Sequence, residues 1–199
     1  MGRPRLHNAV TAAALLDEAE RIVEAEGLDA LTVRRVATAA GTTTRAVYTV
    51  YGSKDALVIA LGARGFDLLR ENLEALPEMR NPAADLVEAG VVVFRRFATE
   101  HPALFRISIQ RVLPDPSLFA GYVIAGREAM AALHRRFVPL EAADGLGGRT
   151  VADAAAEFHA LCEGLAAVEL RGMFRAGEEA WIWRDALGAL VRGFAVSAA

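Results

Sequence analysis

Cysteine occurs once in this chain, at Cys162, so no intrachain disulfide can brace it and a reducing cytosol fits best. Lysine is equally scarce. Lys54 is the single one, which makes it stand out against a surface whose cations are otherwise arginines. There is no basic excess either: 22 Lys and Arg against 25 Asp and Glu give a formal net charge of −3. That excludes a generally basic nucleic-acid coat, so any contact with nucleic acid must come from a local patch. No run approaches the ~18 uncharged apolar residues of a membrane span. The start of the chain, MGRPRLHNAVTAAALLDEAER, lacks the apolar stretch of a signal peptide before acids appear. The expectation is a cytoplasmic, water-soluble protein.

Catalytic signatures are missing as well. No P-loop, dinucleotide fingerprint or convincing alternating strand is present, and no nucleophile, base and orienting group fall together. An enzyme, a cofactor and a metal are therefore not expected. The one reactive-looking cluster is His159, Cys162 and Glu163, within one helical turn. Two soft ligands are too few for a structural metal, and His7, His101 and His134 lie far away in sequence. A buried cysteine beside a pocket-lining histidine is the favoured reading.

What the chain does have is apolar material at helical spacing: 54% of its 199 residues are hydrophobic. The expected fold is all-α, and the stretch LTVRRVATAAGTTTRAVYTVYGSKDAL, residues 31–57, is its organising element. Thr32 is a good N-cap for a short helix whose apolar face is Val33, Val36, Ala37 and Ala40. Gly41 can take the left-handed backbone that ends it. Thr43 caps a second short helix buried through Ala46, Val47 and Val50 or Tyr51. Ser53 caps a third, which opens at Lys54. Two helices of about eight residues joined by a glycine turn match helix-turn-helix geometry, whose second helix enters the major groove. Between Thr32 and Lys54 there are four cations (Arg34, Arg35, Arg45 and Lys54) and no acid.

The same residues resemble the DNA-binding domain of TetR/AcrR-type transcriptional regulators. The likeness runs through Ala40-Gly41-Thr42-Thr43, Val47-Tyr48 and Tyr51-Gly52-Ser53-Lys54-Asp55-Ala56-Leu57, after a helix opening Leu31-Thr32-Val33. It implies that Tyr48 and Lys54 contact phosphates, and that Thr42, Thr43, Thr44, Arg45 and Thr49 face the groove. Two departures matter. Val50 stands where the family often has a histidine near the backbone, and Arg35 where an acid is common, which could add a phosphate contact. The candidate DNA-binding set is thus Thr32, Arg34, Arg35, Thr42 to Arg45, Tyr48, Thr49 and Lys54. Farther on, HALCEGLAAVELRG, residues 159–172, and His101-Pro102-Ala103-Leu104-Phe105 resemble a TetR subgroup's regulatory domain, with Glu163-Gly164 in place of that subgroup's His-Gly pair.

Around this element, Arg3 and Arg5 form a short basic arm suited to a minor groove or phosphates. A first helix runs from about Asn8 or Thr11 to Glu26, and its acids (Asp17, Glu18, Glu20, Glu24, Glu26) read as a solvated face. The fourth helix runs from Lys54 to about Leu76, where Pro77 stops it. Helices then follow over Ala83 to Glu100, Ala103 to Val112, Ser117 to about Phe137 and Thr150 to about Phe174, and a last one carries Trp183. The turn at Pro114-Asp115-Pro116-Ser117 and the glycines of Asp144 to Gly148 separate them; the latter is the most flexible stretch by composition.

Residues 1–55 are expected to form the helix-turn-helix DNA-binding domain, and residues 56–199 a helical bundle for regulation and dimerisation. Phe94, Phe97, Phe105, Phe119, Tyr122, Met130, Phe158, His159 and Cys162 are candidates for a pocket that takes a hydrophobic small molecule. Ala156, Ala160, Gly164 and Ala167 form a small-residue stripe. With Trp183, Leu187, Leu190 and Phe194 they are the candidate interface of a two-fold homodimer. The sequence therefore reads as a homodimeric repressor released from double-stranded operator DNA by its ligand. The alternative is a helical small-molecule-binding protein or enzyme that does not touch DNA.

Overall fold

The computed structural model describes the backbone of residues 3–110 and 119–195, with side chains from residue 9 onward. Every regular element among them is helical, and no strand occurs among the described residues. Val112, the proline-rich turn and its Ser117 cap lie outside the described residues, as do the side chains of Arg3 and Arg5. No described helix is long and apolar enough to cross a membrane. The chain packs as two units, 1–66 with 101–125 and 67–100 with 126–199.

In the first unit α1 (Arg3–Glu26) begins earlier than its periodicity suggests, with helical backbone already at Arg3. Leu15, Ala19, Ile22 and Val23 bury its apolar stripe. A single turn of tighter helix, Leu28–Ala30, leads to α2 (Val33–Ala39), where the Thr32 hydroxyl accepts the Arg35 amide at 3.2 Å. The end of α2 is closed by two bonds: Thr42 N–H donates to the Ala37 carbonyl at 2.9 Å, and Gly41 N–H to the Thr38 carbonyl at 3.2 Å. That double closure needs a left-handed residue between the helices, and Gly41 supplies it at φ 63°. A Cβ there would meet nothing within 4 Å, so substitution strains only the backbone. Gly41→Ala should cost about 1–2 kcal/mol, seen as a lower urea midpoint with an unchanged slope.

Thr43 caps α3 (Thr44–Tyr51), accepting the Ala46 amide at 3.2 Å. Ser53 does the same for α4 (Lys54–Ala75), accepting the Ala56 amide at 3.0 Å. The unit is completed by the four-residue α7 (Pro102–Phe105), a wider-wound turn at Arg106–Gln110, and the start of α8 (Ala120–Ala142). Gly62 leaves room for Tyr122, whose ring atom lies 2.7 Å from where a Cβ would stand.

In the second unit Asn81 caps α5 (Pro82–Glu88) by accepting the Ala83 and Ala84 amides at 3.0 and 3.1 Å, with Pro82 at the first helical position. The helix continues through a wider-wound segment, Ala89–Arg95, into α6 (Arg96–Glu100). A Cβ on Gly90 would run into Leu187 Cδ1 and stand 3.1 Å from Phe158 Cζ, so a larger residue would force these core side chains to shift. α8 runs through Pro139 to Ala142 rather than stopping near Phe137. α9 (Val151–Glu169) ends sooner than Phe174, because Gly172 at φ 67° donates back to the Glu169 carbonyl at 2.8 Å. α10 (Glu179–Phe194) buries Trp183, Leu187, Val191 and Phe194.

Residues 144–148, expected to be the most flexible, form hydrogen-bonded turns, with Asp144 left-handed and Leu146 buried. Sequence spacing also gave no hint of the buried cluster around Arg136. Its guanidinium donates to both Asp85 carboxylate oxygens at 3.2 Å and to the carbonyls of Leu73 and Leu76 at the end of α4.

Candidate nucleic-acid interface

The first unit places α2, the Gly41 turn and α3 in the order the spacing predicts. Val47 is fully buried and pins α3 inward. The Tyr51 hydroxyl donates to the Ala12 carbonyl at 2.8 Å, which fixes the other end of α3 against α1; burial raises that phenol's pKa. This tether was not read from the sequence, where Tyr51 registered as an apolar position and as part of the motif. With Val47 and Tyr51 turned inward, Thr44, Arg45, Tyr48 and Thr49 are exposed on the opposite side of α3, and Thr42 is half-buried.

The hydroxyls are not equivalent. Thr32 and Thr43 spend an oxygen on helix capping, and Thr49 donates to the Arg45 carbonyl at 2.9 Å. Of the threonines expected to face the groove, Thr44 is exposed and its side chain has no such bond among the described residues. Tyr48, 54% exposed, is an aromatic left largely open to solvent, a state that suits a surface contact.

The cations divide in the same way. Arg34, Arg45 and Lys54 are exposed and make no ion pair among the described residues. Arg35, expected to add a phosphate contact, is engaged within its own chain. Its two terminal nitrogens donate to the two carboxylate oxygens of Glu26, and it also reaches the Ala30 carbonyl at 3.3 Å. The bond from Arg35 holds the Glu26 carboxyl below its ordinary value, and the same bond raises the guanidinium. Arg35 is thus a tie between α2 and the end of α1.

The acidic side of α1 is not a plain solvated face either. Arg64 pairs with Asp17 at 2.6 Å and Glu20 at 3.1 Å, and Arg21 with Glu18 at 2.8 Å. Glu24 turns its carboxylate onto the amides of Ala103 and Leu104, both at 3.0 Å, and so caps α7 from another helix. Asp17, Glu18, Glu20 and Glu26 each face an arginine, which reduces the repulsion they would exert on a polyanion nearby. No group of three or more metal-binding side chains occurs among the described residues.

The candidate pocket residues divide between the two packing units. Phe105, Phe119 and Tyr122 belong to the first, where Tyr122 donates to the Ser108 carbonyl at 2.6 Å and meets Phe66 edge-on at 5.2 Å. Phe94, Phe97, Met130, Phe158, His159 and Cys162 belong to the second. There Phe94 and His159 meet edge to face at 5.4 Å. Burial lowers the His159 pKa, against a weaker opposing pull from Glu163, so the ring is neutral at neutral pH. Burial pushes the Cys162 thiol far up, which makes it an inert core residue.

The candidate interface divides too. Ala156, Ala160 and Gly164 are exposed along α9, with Ala167 half-buried beside them. Trp183, Leu187 and Phe194 are corrected: at 0%, 0% and 1% exposure they are core of their own chain. Trp183 donates to Glu169 at 2.7 Å, where Arg95 also binds, and Phe194 packs on Phe137 at 6.2 Å. Leu190 stays half-buried, and Trp181, which spacing did not single out, is 64% exposed.

Residues 15–61 match the family described as bacterial regulatory proteins, tetR family, and residues 87–190 match the tetracyclin repressor-like C-terminal domain. No curated protein matches the chain. Among solved structures, a protein of unknown function from Rhodococcus sp. RHA1 superposes with a TM-score of 0.81 at 25% identity, covering 93% of this chain and 95% of that one. The TetR family transcriptional regulator PfmR from Thermus thermophilus gives 0.65 at 18% identity, covering 89% and 97%. RolR in complex with resorcinol gives 0.69 at 16% identity, covering 96% and 95%. Likeness at 16 and 18% identity speaks for the fold alone.

Proposed function

Because the chain belongs to the TetR family of transcriptional regulators, we propose that it is a homodimeric repressor that binds operator DNA through α3 and leaves it when a hydrophobic small molecule binds. Residues 1–55 are assigned to DNA and residues 56–199 to regulation and dimerisation. The observation that carries this reading is the state of the cations. Arg34, Arg45 and Lys54 are exposed on the helix-turn-helix and make no ion pair among the described residues, while the neighbouring acids of α1 are matched by arginines or used as a cap.

Within that surface Arg45, in the first turn of α3, is assigned to base reading, and Tyr48 and Lys54 to phosphates. An arginine at the start of a recognition helix can give two hydrogen bonds to guanine O6 and N7. The effector is assigned to the aromatic residues around Phe94 and His159, whose neutral imidazole suits an uncharged, hydrogen-bonding aromatic ligand. The resorcinol bound by RolR is of that type.

Binding of the full chain to the DNA upstream of its own gene tests the proposal, with salt varied. Arg45→Ala should cost on the order of 1–3 kcal/mol on the best site and relax preference at one base pair per half-site. Lys54→Ala should weaken all sequences alike and flatten the salt slope by about one unit. A chain that shows no salt-dependent retention on DNA at all would remove the operator reading.

A further inference from the structure

We propose that the chain has a second small-molecule site, in the cleft between the end of α1 and α7, and that it takes a compact apolar carboxylate. The proposal does not rest on the operator reading and is tested on the protein alone. The cleft has a volume of about 260 Å³, just below the ~300–1,000 Å³ typical of drug-sized ligands, so its occupant is small. Val23, Leu28, Ala103 and Ile107 give it apolar walls. Gly27, at φ 84°, lines it with no side chain, and a Cβ there would meet nothing within 4 Å.

Two charged residues line this apolar space, and they are in different states. Glu24 has each carboxylate oxygen bonded to an α7 amide, so its lone pairs turn toward the helix it caps. Arg106 is exposed and makes no ion pair or hydrogen bond among the described residues, while Val23, Ala103 and Ile107 are buried. The guanidinium therefore stands on the solvent side of a greasy hollow, with its donors not engaged by any described residue. A planar guanidinium of this kind matches a carboxylate bidentately. The ligand's carboxylate would sit on Arg106, away from Glu24, with its branched or aromatic body against Leu28 and Ile107.

Isothermal titration of the full chain with 3-methylbutanoate and with benzoate, each against its primary amide, tests this assignment. Saturable binding of an acid at one per chain is expected, with the amide at least about tenfold weaker, since it lacks the charge-assisted bonds. Arg106→Gln should weaken the acid by about the same factor, and Arg106→Lys should recover part of it. Leu28→Gln, which replaces a half-buried wall residue, should also weaken binding while circular dichroism stays that of the parent. Three results would overturn the proposal: no saturable binding of either acid into the millimolar range, equal affinity for acid and amide, or an Arg106→Gln protein that binds as the parent does.

Discussion

Asp85→Ala is expected to be the most damaging single substitution in the second unit, costing about 3–5 kcal/mol of folding stability. Asp85 and Arg136 are both buried, at 5% and 8% exposure. Asp85 accepts from Arg136 and also from the Met79 amide at 2.9 Å, in the loop before α5. Arg136 spends its other terminal nitrogen on the carbonyls of Leu73 and Leu76, which have no helical partner at the end of α4. One ion pair thus holds together a helix end, a loop and α8. Removing the carboxylate leaves a buried guanidinium with carbonyl dipoles only, and an orphaned amide at Met79. Urea unfolding of the variant measures the loss. The double variant Asp85→Leu with Arg136→Met takes out both charges and should recover most of it, since the cost lies in the unpaired ion rather than in the absent bridge. A single variant within about 1 kcal/mol of the parent would show that water reaches this site and relieves the charge.

Gly164→Leu is expected to have the largest effect on function with the least effect on the single chain. Gly164 is exposed on α9, and a Cβ there would meet nothing within 4 Å, so the monomer can accept the side chain. If this stripe of small residues seats a second copy, the leucine enters a close-packed interface once from each chain. Overpacking at about 1–3 kcal/mol per site then sums to about 2–6 kcal/mol per dimer. Two recognition helices must be spaced roughly 34–36 Å apart to use successive major grooves, so dimer and operator affinity should fall together. Sedimentation at micromolar concentration reads the first and DNA binding the second, with helical content as the control. A variant that stays dimeric and binds DNA normally would place the interface on another face of the protein.

The two substitutions also mark where sequence reasoning succeeds. Thr32, Thr43 and Ser53 all cap the helices that spacing assigns to them, because a cap is satisfied by an amide two or three residues away. Gly41 ends α2 for a reason just as local: the left-handed backbone costs a glycine little. These short-range rules, together with the run of cations without acids, were enough to read the helix-turn-helix; its family came from the resemblance of its motif residues.

Long side chains escaped the same rules. Arg35 sits among the DNA-facing residues in sequence but reaches back nine positions to Glu26, and Glu24 caps a helix nearly eighty residues on. Nothing local marks Arg136, whose partners lie 51 to 63 positions away, at Asp85, Leu76 and Leu73.

Helical periodicity, likewise, shows that a face is apolar without showing what covers it. Trp183, Leu187 and Phe194 on one stripe and Ala156, Ala160 and Gly164 on another carried the same period. Folding buried the first stripe in its own chain and left the second in the open. The sequence by itself determined the all-α class, the helix-turn-helix and its charge, because those follow from residues within a turn or two of one another. Only the tertiary structure decided which arginines are free and which apolar stripe is spare, since both depend on partners that folding brings from distant parts of the chain.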